Sequence, residues 1–323
     1  MTKYDTASKD PVLITHCRGP SEDYLDFPAI SCFNLMLSYW IVTLPPDFFT
    51  TGGFAYHTLK GLSSHRIRNK CMEFKSFGFS DVGKTHEHNE DSYLRNDKEG
   101  LFVVADGMGG HVSGEMASRI AVQSVEEFVT RSRSKGIDFF GEYRDDLSME
   151  QNRLLAAAHA ANCKIREEAD KNPAKRGMGT TLIGVILEDK HLAVVNVGDS
   201  RLYRVRNGNL KQVTNDHTLV AEQQKLGRLT REEARKHPQR HILTSALGIS
   251  ESPKIDPYRS HVIPNDLYLI CSDGLNDMLD DEEILKIIHS IKDKSLFKIG
   301  LSLVLQANLA GGQDNITVIL LSF

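Results

Sequence analysis

Six acidic side chains sit where the chain passes from apolar or alternating stretches into glycine- and asparagine-rich ones. Asp106 follows the apolar run of "FVVADGMGGH", Asp199 lies in "VGDSR", Asp273 in "CSDGL" and Asp314 in "GGQDN". Glu90 and Asp91 stand together in "HNEDS". Hard divalent cations such as Mg²⁺ and Mn²⁺ take oxygen ligands, and carboxylates at strand ends can supply them. The two oxygens of Asp106 could bridge two ions, and Gly107 adds a backbone carbonyl that no side chain obstructs. Several unpaired carboxylates in close quarters raise one another's pKa values, a penalty that bound cations reverse. An Asp-Gly pair is also an ordinary turn former. Spacing alone therefore leads to an acidic metal site and no further.

Such residues need rigid carriers. "MEFKSFGFSDVG" alternates as a first strand marked by Phe74, Phe77 and Phe79, and Leu101–Ala105 is a short buried strand. Ser113 is placed to cap a helix with Ala117, Ala121, Val125 and Phe128 on one face. A second helix runs from about Met149 to Asp170 on Leu154, Ala158, Ala161 and Ile165, with Pro173 beyond its end. Strands follow quickly at Thr181–Leu187, His191–Val197, Arg201–Arg206 and Leu210–Val213, the last two joined by the hairpin pair Asn207-Gly208. Short links mean antiparallel pairing. Asp216–Gly227 is predicted as a helix closed by glycine, and Thr230 with Glu233 as a capping box for a short helix ending before Pro238. Leu267–Cys271 is a further strand, helices are predicted near Asp281–Ile291 and Ser295–Leu309, and Ile316–Leu321 is a closing strand. The expected class is α+β, with packed sheets covered by helices in about 250 residues.

The chain has 323 residues, 40% hydrophobic and 25% charged, and a net charge of -4 gives no nucleic-acid footprint. Its five cysteines (Cys17, Cys32, Cys71, Cys163 and Cys271) form no CxxC pair and read as reduced thiols of a cytosol. Ala29–Leu44 is apolar but shorter than the roughly 20 residues a span needs, and Ser31, Asn34 and Ser38 interrupt it, so no membrane association is expected. The pattern changes near Met72. Residues 1–71 are expected to be an N-terminal extension, disordered or from an upstream start, and 72–323 the functional domain.

"NEDS", "VVADGMGGHVSGEMAS", "GMGTTL", "VGDSRLY", "HPQRHILTSALG", "LICSDGLND" and "GGQDNITV" occur in one order between Met72 and Phe323. In this the chain resembles the metal-dependent, type 2C-like serine/threonine protein phosphatases, in their bacterial form. The resemblance implies a four-layer α/β/β/α sandwich, two antiparallel sheets flanked by helices, with Mn²⁺ or Mg²⁺ at one edge. It implies two ions, with a possible third. Carried over residue by residue, Asp106 matches the bridging ligand, Gly107 the carbonyl ligand, and Asp273 and Asp314 the other direct carboxylates. Glu90 and Asp91 match the acidic pair, Asp199 the partner of Asp273 at a third ion, and Asp277 an acid near that ion.

The implied reaction is attack of cation-activated water on the phosphorus of phosphoserine or phosphothreonine, with no phosphoenzyme. His111, at the end of "DGMGGH", is the candidate general acid, or else merely fixes the glycine turn. One departure stands out. Where the family carries a phosphate-clamping arginine, this chain has His86, which implies weaker phosphate capture, improved at mildly acid pH, unless Arg176 or another arginine substitutes. Thr180 and Thr181 are expected to support the sheet near the metals, and Arg201 to pair with a carboxylate. The segment 216–240 corresponds to the family's variable flap, and its arginines (Arg228, Arg231, Arg235, Arg240) are expected to form a solvated face rather than a docking site. The implied partners are phosphorylated proteins, substrates of a bacterial-type serine/threonine kinase, acted on by a cytoplasmic monomer. Two alternatives stay open: a phosphoprotein-binding adaptor of the same fold, and a phosphatase specialised for one regulatory protein.

Overall fold

The computed structural model describes residues 72–110, 112–135 and 143–323. The expectations for residues 1–71 and for His111 lie outside the described residues. In the order of the chain the elements are β1 (Lys75–Asp81), β2 (Asp91–Asn96), β3 (Leu101–Met108), α1 (Val112–Lys135), α2 (Met149–Lys171), β4 (Gly179–Thr180) and β5 (Leu182–Glu188). Then come β6 (His191–Val197), β7 (Arg201–Arg206), β8 (Asn209–Gln212), α3 (Leu219–Lys225), α4 (Arg231–Lys236), β9 (Asp256–His261) and β10 (Leu267–Cys271). A short helix α5 (Asp273–Asn276), α6 (Asp281–Ser290), α7 (Leu296–Leu309) and β11 (Ile316–Ser322) complete the described chain.

The strands form two antiparallel sheets. One has the order β1-β11-β10-β7-β8 and the other β2-β3-β5-β6-β9, with β4 paired to β3. Side-chain alternation assigns each face of a strand to its own core. On β3, Phe102 and Val104 turn to the core between the sheets, where they meet Ile183, Val185, Ile270 and Ile319. Leu101, Val103 and Ala105 turn the other way, onto Ala117, Ala121 and Val125 of α1 and Leu154, Ala158 and Ala161 of α2. Likewise Leu269, Val318 and Leu320 pack outward under Ile284 of α6 and Leu303 of α7. Three cores between four layers make an α/β/β/α sandwich. Strands buried on both faces read as unbroken apolar runs, which is why β3, β6 and β11 are plain in the sequence.

Local chemistry sets the element ends. Ser148 and Gln151 form a capping box on α2, and Thr230 with Glu233 does the same on α4. Asn207 and Gly208 both have positive φ (51° and 78°), as the tight β7–β8 turn requires. Gly227 ends α3 with φ 68°, Gly227 N–H bonding to Gln224 O and Arg228 N–H to Gln223 O. Several boundaries differ from expectation. Ser113 is not a cap but lies inside the first turn of α1, which starts at Val112. The α3 helix begins at Leu219 behind the cap Thr218, because Asp216 is drawn away to Arg201. The strand β2 has no apolar run to announce it, and β9 contains Pro257, which an edge strand tolerates.

Candidate active site

The acidic residues arrive from both sheets. Asp106 lies within β3, which runs on to Met108, and is paired in register with Asp91 at the head of β2. Asp273 opens α5 two residues after β10, and Asp314 precedes β11 by two. Asp199 sits in the turn that carries the chain from β6 in one sheet to β7 in the other.

Hydrogen bonds fix these positions. Asp106 donates its N–H to Thr181 Oγ1 at 3.0 Å, and its carbonyl accepts from Thr180 Oγ1 and Thr181 N at 2.8 Å each. Thr181 Oγ1 also meets Ser200 Oγ at 2.8 Å, tying β3 to the Asp199 turn. Asp91 Oδ2 accepts from Ser272 Oγ at 2.8 Å and from Thr317 Oγ1 at 2.6 Å. Asn315 takes Glu90 N–H on Oδ1 at 2.7 Å and gives Nδ2 hydrogens to the carbonyls of Val82 and His88, closing the 82–90 segment onto Asp314. Gly107 and Gly114 let the end of β3 approach α1: a Cβ on Gly107 would overlap Gly114 O, and one on Gly114 would overlap Glu90 Oε2.

Burial and mutual repulsion among carboxylates dominate the electrostatics. Burial first, with the neighbouring aspartates adding to it, pushes Asp91 up to about 8 and Asp273 up to about 7. Asp106 and Asp199 are held well above the usual carboxylate range by burial and then by their acidic neighbours. Arg201 offers little relief, since its guanidinium is committed to Asp216 at 2.6 to 3.0 Å and to Tyr203 Oη at 2.7 Å. Asp91 Oδ1 and Asp273 Oδ1 are buried with no hydrogen-bond partner. An all-oxygen donor set, mutual repulsion and two orphaned oxygens fit a hard divalent cation.

Other expected residues differ in their relation to this cluster. His86 Nε2 stands 3.5 Å from Asp314 Oδ1, and both side chains are nearly half exposed. Arg176 is exposed in the turn that follows α2. His241 Nδ1 lies 3.2 Å from Asp277 Oδ2, and donor atoms of His241, Asp273 and Asp277 lie within 4.8 Å of one another. The sequence reading missed His241, whose signal was its place in "PQRH". It also missed Ser272, Thr317 and Asn315, all within quoted motifs but silent about their partners. A cavity of about 440 Å³ adjoins the cluster, walled by the 216–240 segment and by Asp199, Asp273 and Asp277. Among the arginines of that segment, Arg228 is exposed and the other three form ion pairs. Arg231 pairs with Asp281, Arg235 with Asp280 at 3.7 Å, and Arg240 with Asp277 at 3.7 Å.

Comparisons with known proteins agree with this architecture. The chain is 35% identical over 250 residues to the serine/threonine phosphatase stp of Listeria innocua serovar 6a, covering 75% of this chain and 92% of that one. The crystal structure of the Mycobacterium tuberculosis serine/threonine phosphatase PstP/Ppp superposes with a TM-score of 0.67 at 34% identity, covering 77% of this chain and 98% of that one. A crystal structure of the PstP catalytic domain in complex with two manganese ions superposes with a TM-score of 0.64 at 33% identity, over 77% and 97% of the respective chains. The family model described as Protein phosphatase 2C matches residues 82–297, from the end of β1 into α7. With two-thirds of its length under that model and its acidic motifs meeting at one end of the two sheets, the chain belongs to the protein phosphatase 2C family.

Proposed function

We propose that this chain is a metal-dependent hydrolase of phosphoserine and phosphothreonine in proteins. The observation that carries the reading is the pair of buried, unpartnered oxygens on Asp91 and Asp273 inside a cluster of mutually repelling carboxylates. Asp106, the Gly107 carbonyl, Asp273 and Asp314 would hold two Mn²⁺ or Mg²⁺ ions, with Glu90 and Asp91 completing the set directly or through water. Asp199 with Asp273, beside Asp277 and His241, would hold a third ion. When bound, such cations supply an activated water and offset charge on the phosphoryl oxygens.

The protein's own part is positioning. Thr180 and Thr181 hold the Asp106 backbone so that its carboxylate keeps one direction, and Ser272 and Thr317 orient Asp91. His86, at the exposed rim beside Asp314, would meet the substrate phosphate. His111 would protonate the leaving alkoxide, since an imidazole titrates near neutrality. The phosphatase domain would span 72–323. In the cell, the reading is a monomer in the cytoplasm, in signal transduction, acting on phosphoproteins made by a bacterial-type serine/threonine kinase. The serine/threonine phosphatases it resembles support the phosphoprotein substrates of this reading. The deciding experiment is release of phosphate from a phosphothreonine peptide with and without Mn²⁺, using Asp106→Asn as control. Turnover that survives a strong chelator overturns the reading, and binding without turnover points to an adaptor.

A further inference from the structure

The strands β7, β10 and β11 each have an acidic residue two positions beyond one end. At their other end lies a second cavity, of about 420 Å³, within the range of small-molecule sites. Val205, Leu267, Ile288, Ile299 and Phe323 supply its apolar lining. Ile288 and Ile299 are almost fully buried, so this lining continues the core under α6 and α7 rather than forming a surface patch.

The mouth of this cavity is basic. Lys292 and Lys294, in the turn between α6 and α7, are exposed and border it. Two neighbouring ion pairs are self-contained: Arg206 is bidentate to the buried Asp266 at 2.8 and 2.6 Å, and Asp293 is taken by Lys298. Among the described residues, Lys292 and Lys294 have no carboxylate partner. Lys294 also has φ 50°, a left-handed conformation in which Gly or Asn is the usual occupant. Two more left-handed residues, Asn207 and Asn265, border the same cavity. At those two positions the sequence has the residue that tolerates the turn; at 294 it has a strained residue with a cationic tip. Backbone strain of this kind is tolerated where the side chain serves a purpose.

We propose that this cavity binds a medium-chain aliphatic carboxylate, its chain against Ile288 and Ile299 and its carboxylate between Lys292 and Lys294. An apolar floor selects a saturated chain, and two unpaired ammonium groups at the mouth select an anion over a neutral amphiphile. This site is separate from the acidic cluster and does not rest on the hydrolytic reading.

Calorimetric titration of the full chain with octanoate tests it, with acetate and 1-octanol as probes lacking the chain or the charge. All titrations are run in chelator, so that carboxylate binding to a cation at the acidic cluster contributes nothing. Octanoate is expected to bind at one site, at least about tenfold more tightly than either control. The double variant Lys292→Glu/Lys294→Glu, which touches no core residue, should weaken octanoate by about tenfold and leave 1-octanol unchanged. Leu267→Trp, filling the cavity, should abolish binding of both chains, with near-ultraviolet circular dichroism reporting on its fold. The proposal is overturned if octanoate does not bind, if 1-octanol binds equally well, or if the lysine double variant binds octanoate like the parent.

Discussion

Thr317 on β11 donates its hydroxyl to Asp91 Oδ2 on β2 at 2.6 Å, a contact that crosses from one sheet to the other. Ser272 gives the same oxygen a second hydrogen bond, leaving Oδ1 unpartnered. The pair orients a carboxylate without neutralising it. Thr317→Val keeps the shape and removes the donor. The Mn²⁺ concentration for half-maximal phosphatase activity should rise by about 10-fold or more, as for other partners of metal ligands. A manganese titration of initial rates checks this, and an unchanged midpoint would show that Asp91 needs no such support.

Asp106 sits at the centre of the repulsion. Asp106→Asn should lower turnover by at least about a hundredfold, because a neutral amide would hold divalent cations far less well than a carboxylate. In chelator at pH 7 the same substitution should raise the thermal midpoint, since folding no longer has to bury a carboxyl that burial and its acidic neighbours hold well above the usual range. A gain of about 1 kcal/mol corresponds to roughly 2–4 °C in a domain of this size. Opposite signs in the two assays separate a functional carboxylate from a structural one.

His86 faces Asp314 where the phosphate would enter. His86→Arg puts a permanent, forked cation there, and KM for a phosphothreonine peptide should fall several-fold at pH 7.5. No change in KM at neutral pH would count against a phosphate role for this position.

A pH effect on stability follows from His217, which is buried behind the Asp199 turn. Its Nδ1 accepts Gly198 N–H at 3.2 Å, so the proton of the neutral ring is on Nε2, facing Asp256 Oδ2 at 3.0 Å. Burial lowers its pKa below the ordinary 6.5. The unfolded chain therefore takes up a proton below pH 6.5 that the folded chain refuses. Stability should fall with acid by up to about 1.4 kcal/mol per pH unit until the folded pKa is reached. Denaturant melts of the parent and His217→Gln between pH 7.5 and 5.5 should show a shallower acid dependence in the variant.

Much of this molecule is readable in one dimension, and the unreadable parts share a cause. Apolar runs announced β3, β6, β10 and β11, and glycine chemistry announced the turns at Gly208 and Gly227, because those signals are local. The strand β9 carries a proline and little apolar surface, and only its place at a sheet edge makes it a strand. Asp216 has good helix neighbours, yet Arg201, distant in sequence, takes it away. The acidic residues could be collected from their motifs, whereas Ser272, Thr317 and Asn315 gain meaning only from partners more than 180 residues away.

Asp91 and Asp106 belong to one sheet, Asp273 and Asp314 flank strands of the other, and Asp199 lies on the passage between them. Ions shared among them would act as rivets through the sandwich, so a half-folded chain with only one sheet formed would have no grip to offer. Uptake of the ions would then favour the finished fold over every partial one, and starvation for them would loosen the join between the layers before either layer came apart.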